Sequence, residues 1–254
     1  MTRRGLIVLA LVLAVARAGE AQPAATTLVV YAAADLDTAF REIKPLFERA
    51  TGARVTLVMG STGNLAKQIG HGAPADVFFA ANESFVDDLR AAGAIMPQTR
   101  ALYAQGRIVL AVPKKSAIVV REPGDLLKPE VRRVAIANPA HAPYGRAAQE
   151  ALERAGVWDK VKPKLVYGES IRHALQFVET GAVEAGIVAL SIADAPGITY
   201  APIDARLHTP LNQVAAVVKR SHHPDLGAAF IQFVNGVEGR PVMKRYGFLL
   251  PGEF

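Results

Sequence analysis

The feature that most constrains this 254-residue chain is an alternation of short β-branched runs with helix-patterned segments, repeated in two series around two long apolar runs. In the first series residues 28–31, 55–59 and 76–79 read as strands. Helix-period segments follow at about 36–49, from 65 to about 70, and at 83–91. Leu36, Phe40, Ile43 and Phe47 fall on one face of the first of these, and Thr51-Gly52 closes it. The apolar run 108–112 comes next. The alternation then restarts with strands at 134–137, 165–167 and 186–190, and with helices that end at Ala155 and run from Ile171 through Val178. A second apolar run, 214–218, precedes two closing helices around 230–234 and 242–246.

Such βα alternation predicts mainly parallel sheets with helices on both faces. Two series joined by two runs predict two α/β lobes with two crossing strands: lobe 1 from 22–108 and 213–254, lobe 2 from 109–212. A hinged pair of lobes holds its ligand between them. In open α/β sheets that place lies outside the carboxyl ends of the strands. Ala34-Asp35 and Ser61-Thr62 both sit at such ends. The stretch Val29-Val30-Tyr31-Ala32-Ala33-Ala34-Asp35-Leu36 reads as a strand feeding a helix N-terminus, whose free N–H groups and positive dipole end suit an anion.

Charge and composition narrow the classes. The formal net charge is +6; losing three arginines and one glutamate with a leader over residues 1–21 leaves +4. That surplus suits anionic ligands. Lys and Arg are scattered without an aromatic-rich basic stripe, which argues against nucleic acid. Arg3-Arg4, the apolar run 6–15 and the small residues near Ala18 have the form of a cleavable secretory signal, too short for a membrane span, with cleavage after Ala18 or Ala21. Arg3-Arg4-Gly5-Leu6 also weakly resembles a twin-arginine signal. The chain has no cysteine, hence no disulfide and no lipid-anchoring thiol, as in a free periplasmic protein of a Gram-negative bacterium. His71, His141, His173, His208 and the pair His222-His223 show no metal-ligand spacing and are expected in solvated loops. No G-x-S-x-G elbow occurs, so an enzyme ranks last. The effector domain of a transcription regulator would need an N-terminal helix-turn-helix where this chain has a signal-like segment.

Several motifs in order carry a resemblance: Tyr31-Ala32-Ala33-Ala34, Gly72-Ala73-Pro74-Ala75-Asp76-Val77-Phe78, Asn138-Pro139 with Pro143-Tyr144-Gly145, Gly186-Ile187-Val188, and Arg245-Tyr246-Gly247-Phe248. Together they are similar to the periplasmic molybdate-binding proteins of ABC importers, the ModA family, over nearly the whole mature chain. The resemblance implies a two-lobed periplasmic binding protein fold (type II-like), with no enzymatic activity and no cofactor. It also implies a tetrahedral oxyanion, molybdate or tungstate, held by backbone N–H groups and a few hydroxyls. The implied partners are that ligand and an inner-membrane ABC permease, with the protein a monomer and no metal bound apart from the oxyanion. The implied contacts are Asp35 and Thr62 in the first lobe, and Tyr144 and Ile171, through their backbone N–H groups, in the second. Ala189, after Gly186-Ile187-Val188, would be a fifth position. The chain departs from the family at two of these: members carry serine where Asp35 stands and often tyrosine where Ala189 stands.

Asp35 therefore has three readings. It caps the helix that follows; it accepts a proton from a phosphate-like or phosphite-like oxyanion; or the ligand is something else, a metal or a small organic anion. Thr62 is a helix cap, a ligand donor, or both. Tyr144 after Pro143 is a plain helix start with an exposed ring, or its ring closes over the cleft in place of the tyrosine absent at 189.

Overall fold

The computed structural model describes residues 25–254; the leader expected over 1–21 lies outside them. The chain runs β1 (Thr27–Ala33), a 3-10 turn (Ala34–Leu36), α1 (Asp37–Thr51), β2 (Arg54–Gly60), α2 (Thr62–Gly70), β3 (Val77–Ala80), α3 (Glu83–Ala91), β4 (Ala101–Gly106) and β5 (Ile108–Pro113). It continues through β6 (Val134–Ala137), α4 (Pro143–Arg154), α5 (Trp158–Val161), β7 (Leu165–Gly168), α6 (Ile171–Glu179), β8 (Ala185–Ala189), β9 (Ile198–Pro202), β10 (Leu211–Val217), α7 (Pro224–Val234) and α8 (Gly239–Arg245).

Two five-stranded sheets result, in the orders β2-β1-β3-β10-β4 and β7-β6-β8-β5-β9. The parallel part expected of each is present: β1 pairs parallel with β2 and β3, and β6 with β7 and β8. Each sheet is completed by antiparallel pairing, β10 against β3 and β4, and β5 against β8 and β9, so both are mixed. The reason is the crossing itself, since a strand arriving from the other lobe enters against the direction of its βα neighbours. The first crossing is a near-continuous extended segment, β4 and β5, interrupted only at Arg107. The apolar run 108–112 marks only its second half; β4 gives no such signal, because its six residues mix apolar side chains with Gln105. Ile108 pairs with Ala189 in the second sheet, and Leu211 and Asn212 pair with Gly106 and Gln105 in the first. The sheets thus change hands one residue before the expected 108/109 boundary and two before 212/213.

The lobes have cores of different texture. In the first, Phe40 and Phe47 from α1 meet Phe79 of β3 and Phe230 of α7 edge-on, with centroids 5.0 Å apart for Phe40–Phe79 and 4.9 Å for Phe47–Phe230. Such edge-to-face pairs contribute about 0.5–1.5 kcal/mol each beyond their burial. Leu36, Phe40, Ile43 and Phe47 are all buried, as their spacing predicts. The second core is aliphatic, built on Leu110, Ile136, Leu152, Leu175 and Ile187. Among the described residues no helix is long and apolar enough to cross a membrane.

Candidate functional site

Four chain segments leave the carboxyl ends of parallel strands and converge between the lobes. From the first lobe come the 3-10 turn after β1 and the N-terminus of α2 after β2; from the second, the N-termini of α4 and α6 after β6 and β7. They enclose a small cavity of about 10 Å³, lined by Asp35, Thr62, Tyr144 and Ile171 together with alanines, Gly60, Ser61 and Pro143. The four residues singled out from the sequence therefore meet at one place. Thr62 and Ile171 are the first residues of α2 and α6, and Tyr144 is the second of α4, so their N–H groups belong to first turns that lack intrahelical acceptors. No Lys or Arg lines the cavity. Its positive character comes from backbone dipoles alone.

Thr62 does not cap. α2 starts at Thr62 rather than near Asn64, and Ser61 holds the cap position. Thr62 Oγ1 accepts the Ala81 N–H at 3.1 Å, which leaves its own proton free to donate. Ser61 Oγ instead meets the His141 ring at 2.8 Å across the cleft, while Gly63 N–H donates to the His141 carbonyl at 2.9 Å. A Cβ on Gly63 would stand 2.6 Å from that carbonyl oxygen, so glycine is what lets the lobes meet here. His141 is thus a bridge between the lobes, not a solvated loop residue, and partial burial lowers its pKa. His208 also departs from the loop expectation: it is buried, with Nδ1 2.8 Å from the Thr209 carbonyl. Among the described residues no cluster of three or more potential metal-ligating side chains occurs.

Asp35 is the largest departure from expectation. It sits inside the 3-10 turn, and neither that turn nor α1 has a side-chain cap, so the capping reading fails. Its carboxylate is fully buried: Oδ2 accepts the Tyr144 hydroxyl at 3.0 Å and Gln213 Nε2 at 2.8 Å, and Oδ1 has no partner. Gln213 Oε1 in turn accepts the Tyr103 hydroxyl at 2.8 Å, which also lies 3.3 Å from the Ala80 carbonyl. Burial raises the Asp35 pKa from 3.8 to about 6, against the opposing bonds from Gln213, Tyr144 and its own backbone N–H. Burial, and then the charge on Asp35, push both tyrosines well above their ordinary range.

The Tyr144 ring is neither exposed nor closed over the cleft mouth. It is buried and points to the hinge side, where a Cβ on Gly106 would come within 2.2 Å of its hydroxyl. Ala189, the fifth implied position, ends β8 paired to Ile108 and does not line the cavity. A hydroxyl does arrive from that segment: Ser191 Oγ donates to the Asp35 carbonyl at 2.8 Å. Ser191, Gln213 and Tyr103 escape sequence reading, since nothing local to any of them reveals a polar partner far along the chain.

A larger groove of about 690 Å³ borders the site through Ala34. Its charges mostly cancel, because Arg41 pairs with Asp37 at 3.0 Å and Arg172 with Glu179 at 3.6 Å. It therefore offers no concentrated anion site, unlike the convergent helix N-termini beside it.

The bacterial extracellular solute-binding protein family matches residues 28–249. The molybdate-binding protein ModA of Rhodobacter capsulatus is 35% identical over 97% of this chain and 96% of its own length. That of Escherichia coli is 31% identical over 94% and 95%. The structure of the periplasmic molybdate-binding protein of Azotobacter vinelandii superimposes with a TM-score of 0.83, at 30% identity, over 88% of this chain and 99% of that one. With this span and identity, the chain belongs to the bacterial extracellular solute-binding proteins, within their ModA family.

Proposed function

We propose that this protein is the periplasmic solute-binding component of an ABC importer. It captures a tetrahedral oxyanion, molybdate or tungstate, between its lobes and delivers it to an inner-membrane permease. The observation that carries this reading is the convergence of the 3-10 turn and the N-termini of α2, α4 and α6 on one small cavity without Lys or Arg. Preorganised N–H groups in a site closed from water bind an oxyanion without the cost of reorienting solvent. The cavity in this closed form is about the room of one water, so the lobes part to admit an anion. The names of the relatives above support molybdate, and the signal-like residues 1–21 support export. In this reading Asp35, Thr62, Tyr144 and Ile171 are the contacts.

Calorimetry of the mature protein against molybdate, tungstate, sulfate, phosphate and phosphite tests the reading. Saturable 1:1 binding of molybdate and tungstate is expected, with sulfate weaker. Binding of none of the five would sink it. A second reading, a receptor for an oxyanion that carries its own proton, is favoured by one observation: the unpartnered Oδ1 of Asp35. Selective binding of phosphate or phosphite would establish it instead.

A further inference from the structure

Asp35 Oδ1 is the one buried side-chain polar atom among the described residues without a hydrogen-bond partner, and Asp35 lines the anion cavity. Its other oxygen is not free to carry a proton. Oδ2 accepts from both Gln213 Nε2 and the Tyr144 hydroxyl. Gln213 is held in that orientation by Tyr103, whose hydroxyl donates to Oε1. Two donors on Oδ2 favour it as the carbonyl oxygen of the neutral acid, which places the proton on Oδ1, the oxygen left without a partner in a residue that lines the cavity.

We propose that Asp35 determines the specificity of the site by binding the oxyanion as the neutral acid, donating one hydrogen bond from Oδ1, so that each dianion is captured together with one proton. This rests on the oxyanion reading above. The balance is simple: one proton passes from solvent to Oδ1, and no other bond changes. The ionised alternative is far less favourable. A carboxylate about 4 Å from the anion, at an effective dielectric near 20, weakens binding about a thousandfold for each unit of ligand charge. Protonating the carboxyl at pH 7 weakens it only about tenfold from a pKa of about 6, and about a thousandfold from the ordinary 3.8 if open lobes hydrate the group, still far less than the repulsion of a dianion.

Apart from Tyr144, the other charged and titratable groups stand around the cavity rather than in its wall. Tyr144 on α4 and Tyr103 on β4 stay neutral between pH 5 and 8. The pairs Asp37–Arg41 on α1 and Arg172–Glu179 on α6, with Asp194 after β8, line the outer groove, and Glu169 and His173 line a side pocket. His141 is the imidazole that contacts the cavity wall, through Ser61, and it serves as the control.

The test is calorimetry with molybdate from pH 5 to 8, in paired buffers of different ionisation enthalpy, on the wild type, Asp35→Asn and His141→Gln. For the wild type, Kd should rise about tenfold per pH unit above 6, with close to one proton taken up per molybdate at pH 8. Asp35→Asn, which offers a neutral N–H donor, should show no slope above pH 7, where His141 is neutral, and bind about 100-fold tighter than wild type at pH 8. His141→Gln should keep the wild-type slope. Molybdate binding by the wild type with neither slope nor uptake would overturn the proposal while leaving the oxyanion reading intact, as would a slope that survives in Asp35→Asn or vanishes in His141→Gln. Selective phosphate binding without uptake would overturn it in favour of an ionised Asp35 that accepts the ligand's proton. Failure of wild type and Asp35→Asn to bind any oxyanion at any pH would instead remove the reading on which it rests.

Discussion

Replacing Asp35 with asparagine should change how the empty protein's stability depends on pH, and the structure sets the size. Folding raises the Asp35 pKa from 3.8 to about 6 because burial disfavours the charged form. The folded state therefore holds this proton more tightly than the unfolded chain. The stability this confers is fully present below pH 3.8 and is lost as pH rises through about 6. The whole shift corresponds to roughly 3 kcal/mol, of which about 2 kcal/mol falls between pH 4 and pH 8. Both are upper bounds, since parting of the lobes hydrates the carboxylate and relieves part of the cost. The substituted asparagine does not titrate, but its amide adds a buried donor where Oδ1 had no partner, at about 1–3 kcal/mol at every pH. The informative quantity is thus the difference between the two Tm–pH curves, not either Tm alone. Scanning calorimetry without ligand should show the variant gaining about 4–8 °C on the wild type between pH 4 and pH 8. Parallel curves would refute a buried, strained carboxylate at this position.

Three further outcomes follow from contacts around the cleft. Gly63→Ala places a Cβ 2.6 Å from the His141 carbonyl, a contact made only on closure, so oxyanion affinity should fall at least about tenfold with little change in the Tm of the free protein; calorimetry with small-angle scattering would show a ligand-added form that stays open. Tyr144→Phe removes a donor to Asp35 Oδ2, which should move the pH midpoint of molybdate affinity above that of wild type and cost about 1–3 kcal/mol in denaturant unfolding. Thr62→Val strands the Ala81 N–H and deletes a free hydroxyl donor, so both oxyanion affinity and stability should drop, each by about 1–3 kcal/mol, as read by titration and urea melts.

The parts of this site that are legible in the sequence are those set by local rules. Helix N-termini after strand ends follow from periodicity and capping, and together with the family resemblance they bring Asp35, Thr62, Tyr144 and Ile171 forward at positions that line one cavity. Side-chain direction is not legible, because it is decided by partners far along the chain. Asp35 turns from a capping geometry toward Gln213, 178 positions away, and Tyr144 turns inward to reach Asp35 from 109 positions away. β4 stays hidden for a related reason: its edge place in the first sheet depends on pairing with β10, and its own composition is not apolar enough to declare a strand. His141 reads as a loop residue because nothing local reveals that Ser61 will face it.

A carboxylate at the focus of several helix N-termini looks self-defeating for an anion receptor, and the relative magnitudes resolve it. Repulsion between an ionised Asp35 and each charge of the ligand is about 4 kcal/mol at 4 Å and an effective dielectric near 20. Neutralising the carboxyl at pH 7 costs about 1.4 kcal/mol from a pKa of about 6 in the closed form and about 4.4 kcal/mol from the ordinary 3.8 in the open one, against about 8 kcal/mol of repulsion for a dianion. Protonation is the smaller term, so it decides the state of the complex. The same burial that makes the ionised group costly in the closed empty protein is relieved when the lobes part and water reaches Asp35. Ionised Asp35 therefore favours open lobes, and an anion arriving with a proton removes the obstacle to closure. A serine here, as the family resemblance implies, would donate its hydrogen bond at any pH; aspartate donates only when protonated. Aspartate at this position adds a dependence on proton concentration to the closing of the clamp.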